Sequence, residues 1–125
     1  HVEGLPPGGT GWLAGLGDRR VGAALALVHG RPGEHWTVER LARQGGVWRS
    51  ALGDRFSLVI GEPIIGFLTR VRLQLAAHEL ATTGHAIEAV ARGAGYEAVN
   101  SFSRAFKRAF GKPPSKWRRG ARRRR

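Results

Sequence analysis

The chain has 125 residues, no cysteine, 42% hydrophobic residues and a formal net charge of +12, from 21 Lys and Arg against 9 Asp and Glu. That length holds one domain with a modest core, or two very small ones sharing an element, and leaves no room for a large catalytic scaffold. No disulfide or thiolate metal site can form, and no apolar run approaches the roughly 20 residues that cross a bilayer.

The charge is unevenly placed. Eleven of the 21 basic residues lie in the last 28 positions, which hold no Asp or Glu. Two readings fit such a run: a solvated face with a basic tail, or a surface for a polyanion, nucleic acid first among them.

Residues 1–17, HVEGLPPGGTGWLAGLG, are rich in Gly and Pro and read as a linker from an absent upstream domain, with Trp12, Leu13 and Leu16 able to form one apolar turn. No signal peptide is legible there, and the opening looks like that of a fragment. Asp18 is an N-cap candidate for a first helix whose Val21, Ala24, Leu25 and Val28 share a face. RPGEHW breaks that helix, and Thr37 caps a short second one, with Glu39 falling one place early for a capping box. Pro63 to Thr83 carries the longest helical pattern, with Ile64, Leu68, Val71 and Leu75 in register. Strand-like alternation is absent, so the expected fold is all-α.

An internal repeat sets the architecture. At an offset of 49, Val38, Leu41, Ala42 and Gly46 match Ile87, Val90, Ala91 and Gly95; after one inserted residue, Leu52, Phe56, Gly61 and Pro63 match Phe102, Phe106, Gly111 and Pro113. Each copy is a short helix, a Gly-containing turn and a second helix, the helix-turn-helix plan. The small residue, Ala42 or Ala91, lets the second helix cross closely over the first, and Gly46 or Gly95 supplies the positive φ of the turn.

The second copy's final helix, VNSFSRAFKRAF, has two faces. Val99, Phe102, Phe106, Ala109 and Phe110 form the apolar one; Asn100, Ser103, Arg104, Lys107 and Arg108 form a face of donors and cations. Together with A-I-x-x-V-A-x-x-x-G-Y before it and G-K-P-P-S-K-W-R after it, this stretch resembles the DNA-binding domain of the AraC/XylS family of bacterial transcription regulators, over about residues 18–119.

The resemblance implies seven helices in two helix-turn-helix subdomains, each a homeodomain-like three-helix unit: the first at about 18–62 and the second at about 84–119, joined by a long central helix at about 63–83. A basic tail, 120–125, follows. It also implies an effector-binding or dimerisation domain upstream, double-stranded DNA as partner, RNA polymerase as a further partner if the protein activates, a cytoplasmic, nucleoid-associated location, and no cofactor, metal or catalytic residue. A helix of about 20 residues spans roughly 30 Å, close to the roughly 34 Å between successive major-groove faces. The central helix is therefore expected to act as a ruler for two recognition helices, about 48–59 and 99–110.

By the same resemblance, Asn100, Ser103 and Arg104 point into the major groove, where Arg can pair with guanine and Asn with adenine. Lys107 and Arg108 lie nearer the phosphates, and Arg55 and Lys112 join them as backbone contacts. The first unit offers a poorer set of base contacts in Arg49, Ser50 and Asp54, with Gly53 among them; Asp54 repels phosphate but can accept from cytosine. Trp48 stands where the family usually has Ser. Either the helix starts elsewhere, or Trp48 packs against sugar or core.

Trp36 and Trp117 read as core or lid residues. His29, His35, His78 and His85 show no ligand spacing and no carboxylate partner, and Glu79 and Glu88 read as structural. The tail is expected to lack order and to add sequence-independent phosphate affinity. The competing reading is a nonspecific basic nucleic-acid-binding module, architectural or RNA-binding, which the Arg tail favours and the duplicated turn disfavours.

Overall fold

The computed structural model describes residues 18–31 and 34–123; the linker 1–17, with Trp12, Leu13 and Leu16, and the last two arginines lie outside them. The described residues form seven helices and no strand: α1 Arg19–Gly30, α2 Val38–Gly45, α3 Arg49–Ile60, α4 Ile64–Thr82, α5 Ile87–Gly93, α6 Val99–Phe110 and α7 Pro114–Arg123. The chain divides into two compact units, residues 1–68 and 69–125. The division falls inside α4, because Ile64, Phe67 and Leu68 are buried in the first unit while Leu73, Ala76, Ala77 and Leu80 are buried in the second.

In the first unit Asp18 does two jobs. One carboxylate oxygen accepts from the backbone N–H groups of Arg20 and Val21 at 3.0 and 3.1 Å, capping α1. The other accepts from Nε and Nη2 of Arg55 on α3, at 3.0 and 2.7 Å. Burial alone would push the Asp18 carboxyl up, but the Arg55 hydrogen bonds and charge and the α1 backbone donors outweigh it and hold it below its ordinary value. Arg55, read from the sequence as a phosphate contact, ties α3 to the start of α1.

A carboxyl with a lowered folded pKa contributes stability above its unfolded pKa of about 3.9 and loses that contribution as pH falls through the folded value. Asp18→Ala should therefore cost about 0.5–2 kcal/mol near neutral pH. The gap between variant and parent should begin to narrow below about pH 4 and shrink further as the pH falls. Urea titrations at pH 7 and pH 3 check this; an unchanged gap at pH 3 would rule out the ionised carboxylate as its source.

The two turns repeat each other in detail. In the first, Gly46 adopts φ 68° and the N–H of Val47 donates to Ala42 O at 3.0 Å; in the second, Gly95 adopts φ 91° and the N–H of Tyr96 donates to Ala91 O at 3.0 Å. Four glycines among the described residues have positive φ, namely Gly46, Gly61, Gly95 and Gly111, which are the two matched pairs of the repeat. Ala42 and Ala91 are both buried, as the close helix crossing requires. Thr37 caps α2, its hydroxyl accepting from Arg40 N at 3.1 Å.

The second unit packs around aromatic rings. Phe102 and Phe106 on α6 are fully buried, and Phe106 meets Phe102, Phe110 and Trp117 at ring-centroid distances of 5.6, 4.6 and 5.8 Å. Trp117 also donates its indole N–H to Ala77 O at 3.0 Å. Beside it, Arg118 donates from Nε to Leu80 O at 3.0 Å and from Nη2 to His85 O at 2.6 Å, satisfying a carbonyl that the end of α4 leaves without a helical partner. These bonds anchor α7. The tail expected to be without order is helical to Arg123, since Arg is a good helix former and the Trp117–Arg118 anchor supplies the nucleus.

Candidate nucleic-acid interface

The candidate residues lie on the faces that each core leaves free, on α3 in the first unit and on α6 in the second. On α6, burial of Phe102 and Phe106 fixes the rotation of the helix, so Asn100, Arg104, Lys107 and Arg108 come out exposed and Ser103 half-exposed. None of these five side chains is hydrogen-bonded or ion-paired with another described residue. Three cations and two hydrogen-bonding side chains therefore share one helix surface with no internal partner to compete for them. No acidic residue lies on α6 or α7.

Lys112, expected among the backbone contacts, is half-buried, with its ammonium 6.0 Å from the centre of the Trp117 ring. The exposed side chains of Lys116, Arg119, Arg122 and Arg123 extend the positive surface along α7. Helix beyond residue 119 was not legible in the sequence, although the K-W-R run that anchors it was.

The first unit offers fewer unengaged groups. The α3 helix starts at Arg49, with Trp48 as N-cap at φ −72°, ψ 145°, and Trp48 makes no capping hydrogen bond. The indole is 84% exposed, so it lies outside the core. Arg49 Nε donates to Glu39 Oε1 at 2.8 Å in an exposed ion pair. The Glu39 carboxyl is held below its ordinary value by its own backbone N–H at the start of α2 and by Arg49. Ser50 and Asp54 are exposed, and a Cβ added at Gly53 would meet nothing within 4 Å.

The remaining candidates have structural explanations. Trp36 is buried, donates to Arg31 O at 3.0 Å and is covered by the Arg40 guanidinium at 4.6 Å. His85, for which the sequence showed no carboxylate partner, has Nδ1 2.9 Å from Glu79 Oε2, because the Thr83–Gly84 turn folds it back onto α4. No group of three or more His, Cys, Asp or Glu among the described residues could hold a metal ion, and no helix among them is long and apolar enough to cross a membrane.

Duplicated tight turns, each followed by a helix with one buried apolar face and one exposed polar face, define a helix-turn-helix protein. A family model described as a helix-turn-helix domain matches residues 41–120. A Streptomyces lividans protein described as an AraC-like transcription regulator is 40% identical over 118 residues, covering 94% of this chain and 39% of the relative. The chain thus spans about two-fifths of the length of the curated relatives it matches first.

Among solved structures, the C-terminal domain of AraT, a response regulator from Geobacillus stearothermophilus, superposes with a TM-score of 0.70 at 29% identity, covering 82% of this chain and 86% of that one. The DNA-binding domain of the global transcriptional factor AdpA, solved in complex with a target DNA, gives 0.70 at 25% identity, covering 86% and 96%. The chain belongs to the AraC/XylS family, as a DNA-binding domain of its transcription regulators. That family is one of regulators, not of enzymes.

Proposed function

We propose that this chain reads double-stranded DNA through the exposed face of α6, with α3 as a second and chemically weaker reader. The observation that carries this is the α6 surface, where Asn100, Ser103, Arg104, Lys107 and Arg108 stand exposed or half-exposed and without internal partners, over a buried aromatic face. Asn100, Ser103 and Arg104 are the base readers. Lys107 and Arg108, with Lys112 and the cations of α7, hold phosphate oxygens. On α3, Ser50 and Asp54 are the available polar groups, and Arg49, whose Nε is paired with Glu39, joins them through the rest of its guanidinium.

Ala42, Gly46, Ala91 and Gly95 act indirectly, by setting the helix crossing in each turn. Arg55 positions α3 through Asp18 rather than touching DNA. An effector-binding or dimerisation domain upstream completes the regulator, a reading supported by the share of its relatives that this chain spans. RNA polymerase is a further partner if the regulator activates, and the cytoplasm, at the nucleoid, is where such a protein meets its sites.

Because the two recognition helices carry unlike side chains, one copy of the chain should protect an asymmetric site of about two helical turns. Hydroxyl-radical footprinting on a duplex selected from a random library tests this. A palindromic footprint holding two copies would overturn the single-copy reading. Equal competition by any duplex or by RNA would favour a nonspecific basic module instead.

A further inference from the structure

We propose that Trp48 is a DNA-reading residue, whose indole covers the 5-methyl group of a thymine at the edge of the stretch that α3 reads. The inference rests on the DNA-binding reading above and adds to it an apolar contact. Three observations carry it.

First, Trp48 occupies a position where its side chain gives the fold nothing. An N-cap is stabilised by a side-chain oxygen that accepts from the first turn. Asp18 and Thr37 do this for α1 and α2, whereas Trp48 makes no such bond for α3. Nor does burial offset the loss, because Trp48, at 84% exposure, is the most exposed of the large hydrophobic residues among the described ones, while Trp36 is buried and Trp117 packs on Phe106 and Phe110. The repeat makes the contrast sharper: the matching N-cap of α6 is Ala98, also without a capping bond but carrying no large side chain.

Second, Trp48 stands at the N-terminal end of α3, the end from which a helix of this type meets base edges. It directly precedes Arg49 and Ser50, both exposed and both proposed above to meet DNA. Third, α3 is short of donors. Arg49 has its Nε engaged by Glu39 at 2.8 Å, Gly53 has no side chain, and Asp54 is anionic. A helix so equipped gains little by hydrogen-bond readout, and the one apolar group that base pairs present in the major groove is the thymine methyl. An aromatic ring is suited to cover it.

Trp48→Ser separates this role from any structural one, since Ser caps a helix and Trp does not. The variant should melt at the same temperature as the parent or higher, yet bind the library-selected duplex about tenfold more weakly. Replacing the contacted thymine by deoxyuridine removes only the methyl group, and should weaken the parent about fourfold. In Trp48→Ser the same replacement should have no effect. Trp48→Phe, which keeps an aromatic ring, should retain most of the affinity and a methyl response.

The proposal is overturned if Trp48→Ser binds as tightly as the parent, or if it still responds to the loss of the methyl group. It is also overturned if scanning every thymine of the site finds none to which the parent responds, which would leave Trp48 against sugar at most. If the parent itself binds no duplex selectively, the DNA reading fails, an outcome distinct from the failure of Trp48 alone.

Discussion

Phe106→Ala should destabilise the second unit by about 3–5 kcal/mol, a large share of the roughly 5–15 kcal/mol that holds a domain of ordinary stability together. Phe106 has no exposed surface and is ringed by Phe102, Phe110 and Trp117 at 4.6 to 5.8 Å. Deleting its ring leaves a cavity that three aromatic neighbours cannot all collapse to fill, and it removes packing beyond simple area burial. DNA binding should fall with stability, although no exposed side chain has changed, because Phe106 is part of what fixes the rotation of α6. Phe106→Leu, which keeps much of the volume, should cost markedly less than Phe106→Ala and retain measurable binding. Thermal and urea unfolding followed by circular dichroism would measure both. A Phe106→Ala chain with the parent's midpoint would mean that the aromatic cluster is not the core of this unit.

Arg104→Ala and Lys107→Ala should differ in kind. Arg104 lies one turn beyond Asn100 on the exposed face, and its planar guanidinium can make two parallel bonds to a guanine edge. Losing it should cost about 1–3 kcal/mol on the best site and relax preference at one base pair. Lys107 sits nearer the C-terminal end of α6, where its ammonium acts as a point charge toward phosphate. Its loss should weaken every sequence by a similar factor and reduce the salt slope by about 1. Both chains should fold normally, since neither side chain faces Phe102 or Phe106. Site selection repeated with each variant, at several salt concentrations, decides the matter. Base preference altered by Lys107→Ala and untouched by Arg104→Ala would show that α6 presents a different face to the groove.

Much of the fold was legible because its signals are local. The repeat paired Gly46 with Gly95 and Gly61 with Gly111, and among the described residues these are the glycines that adopt positive φ. Such a turn imposes its residue requirement within a few positions, so two copies at one spacing announce it. Likewise the spacing of Phe102 and Phe106 fixed which face of α6 is buried, and with it which side chains are exposed. The caps at Asp18 and Thr37 were readable for the same reason.

Other features depended on residues that only folding brings together. Arg55 looked like any helix cation until Asp18, 37 positions earlier, was placed against it. Arg49 looked free until the α2–α3 turn set Glu39 within 2.8 Å, and His85 lacked a carboxylate until the turn after α4 folded it back onto Glu79. Arg118 found its acceptors at Leu80 and His85, anchoring a helix that runs on to Arg123 through residues that composition alone read as a loose tail. Periodicity and turn chemistry act through the backbone over one or two turns, so the sequence by itself determined the helices, most of the buried faces and the family. On α4 it placed Leu75 in the buried register, whereas Leu75 is exposed and Leu73, Ala76, Ala77 and Leu80 are buried, because the second half of that helix packs against a different core from the first. Which cation is spent inside the molecule, and whether Trp48 is covered or exposed, depends on distances between segments far apart in the chain, and the tertiary structure alone decided them.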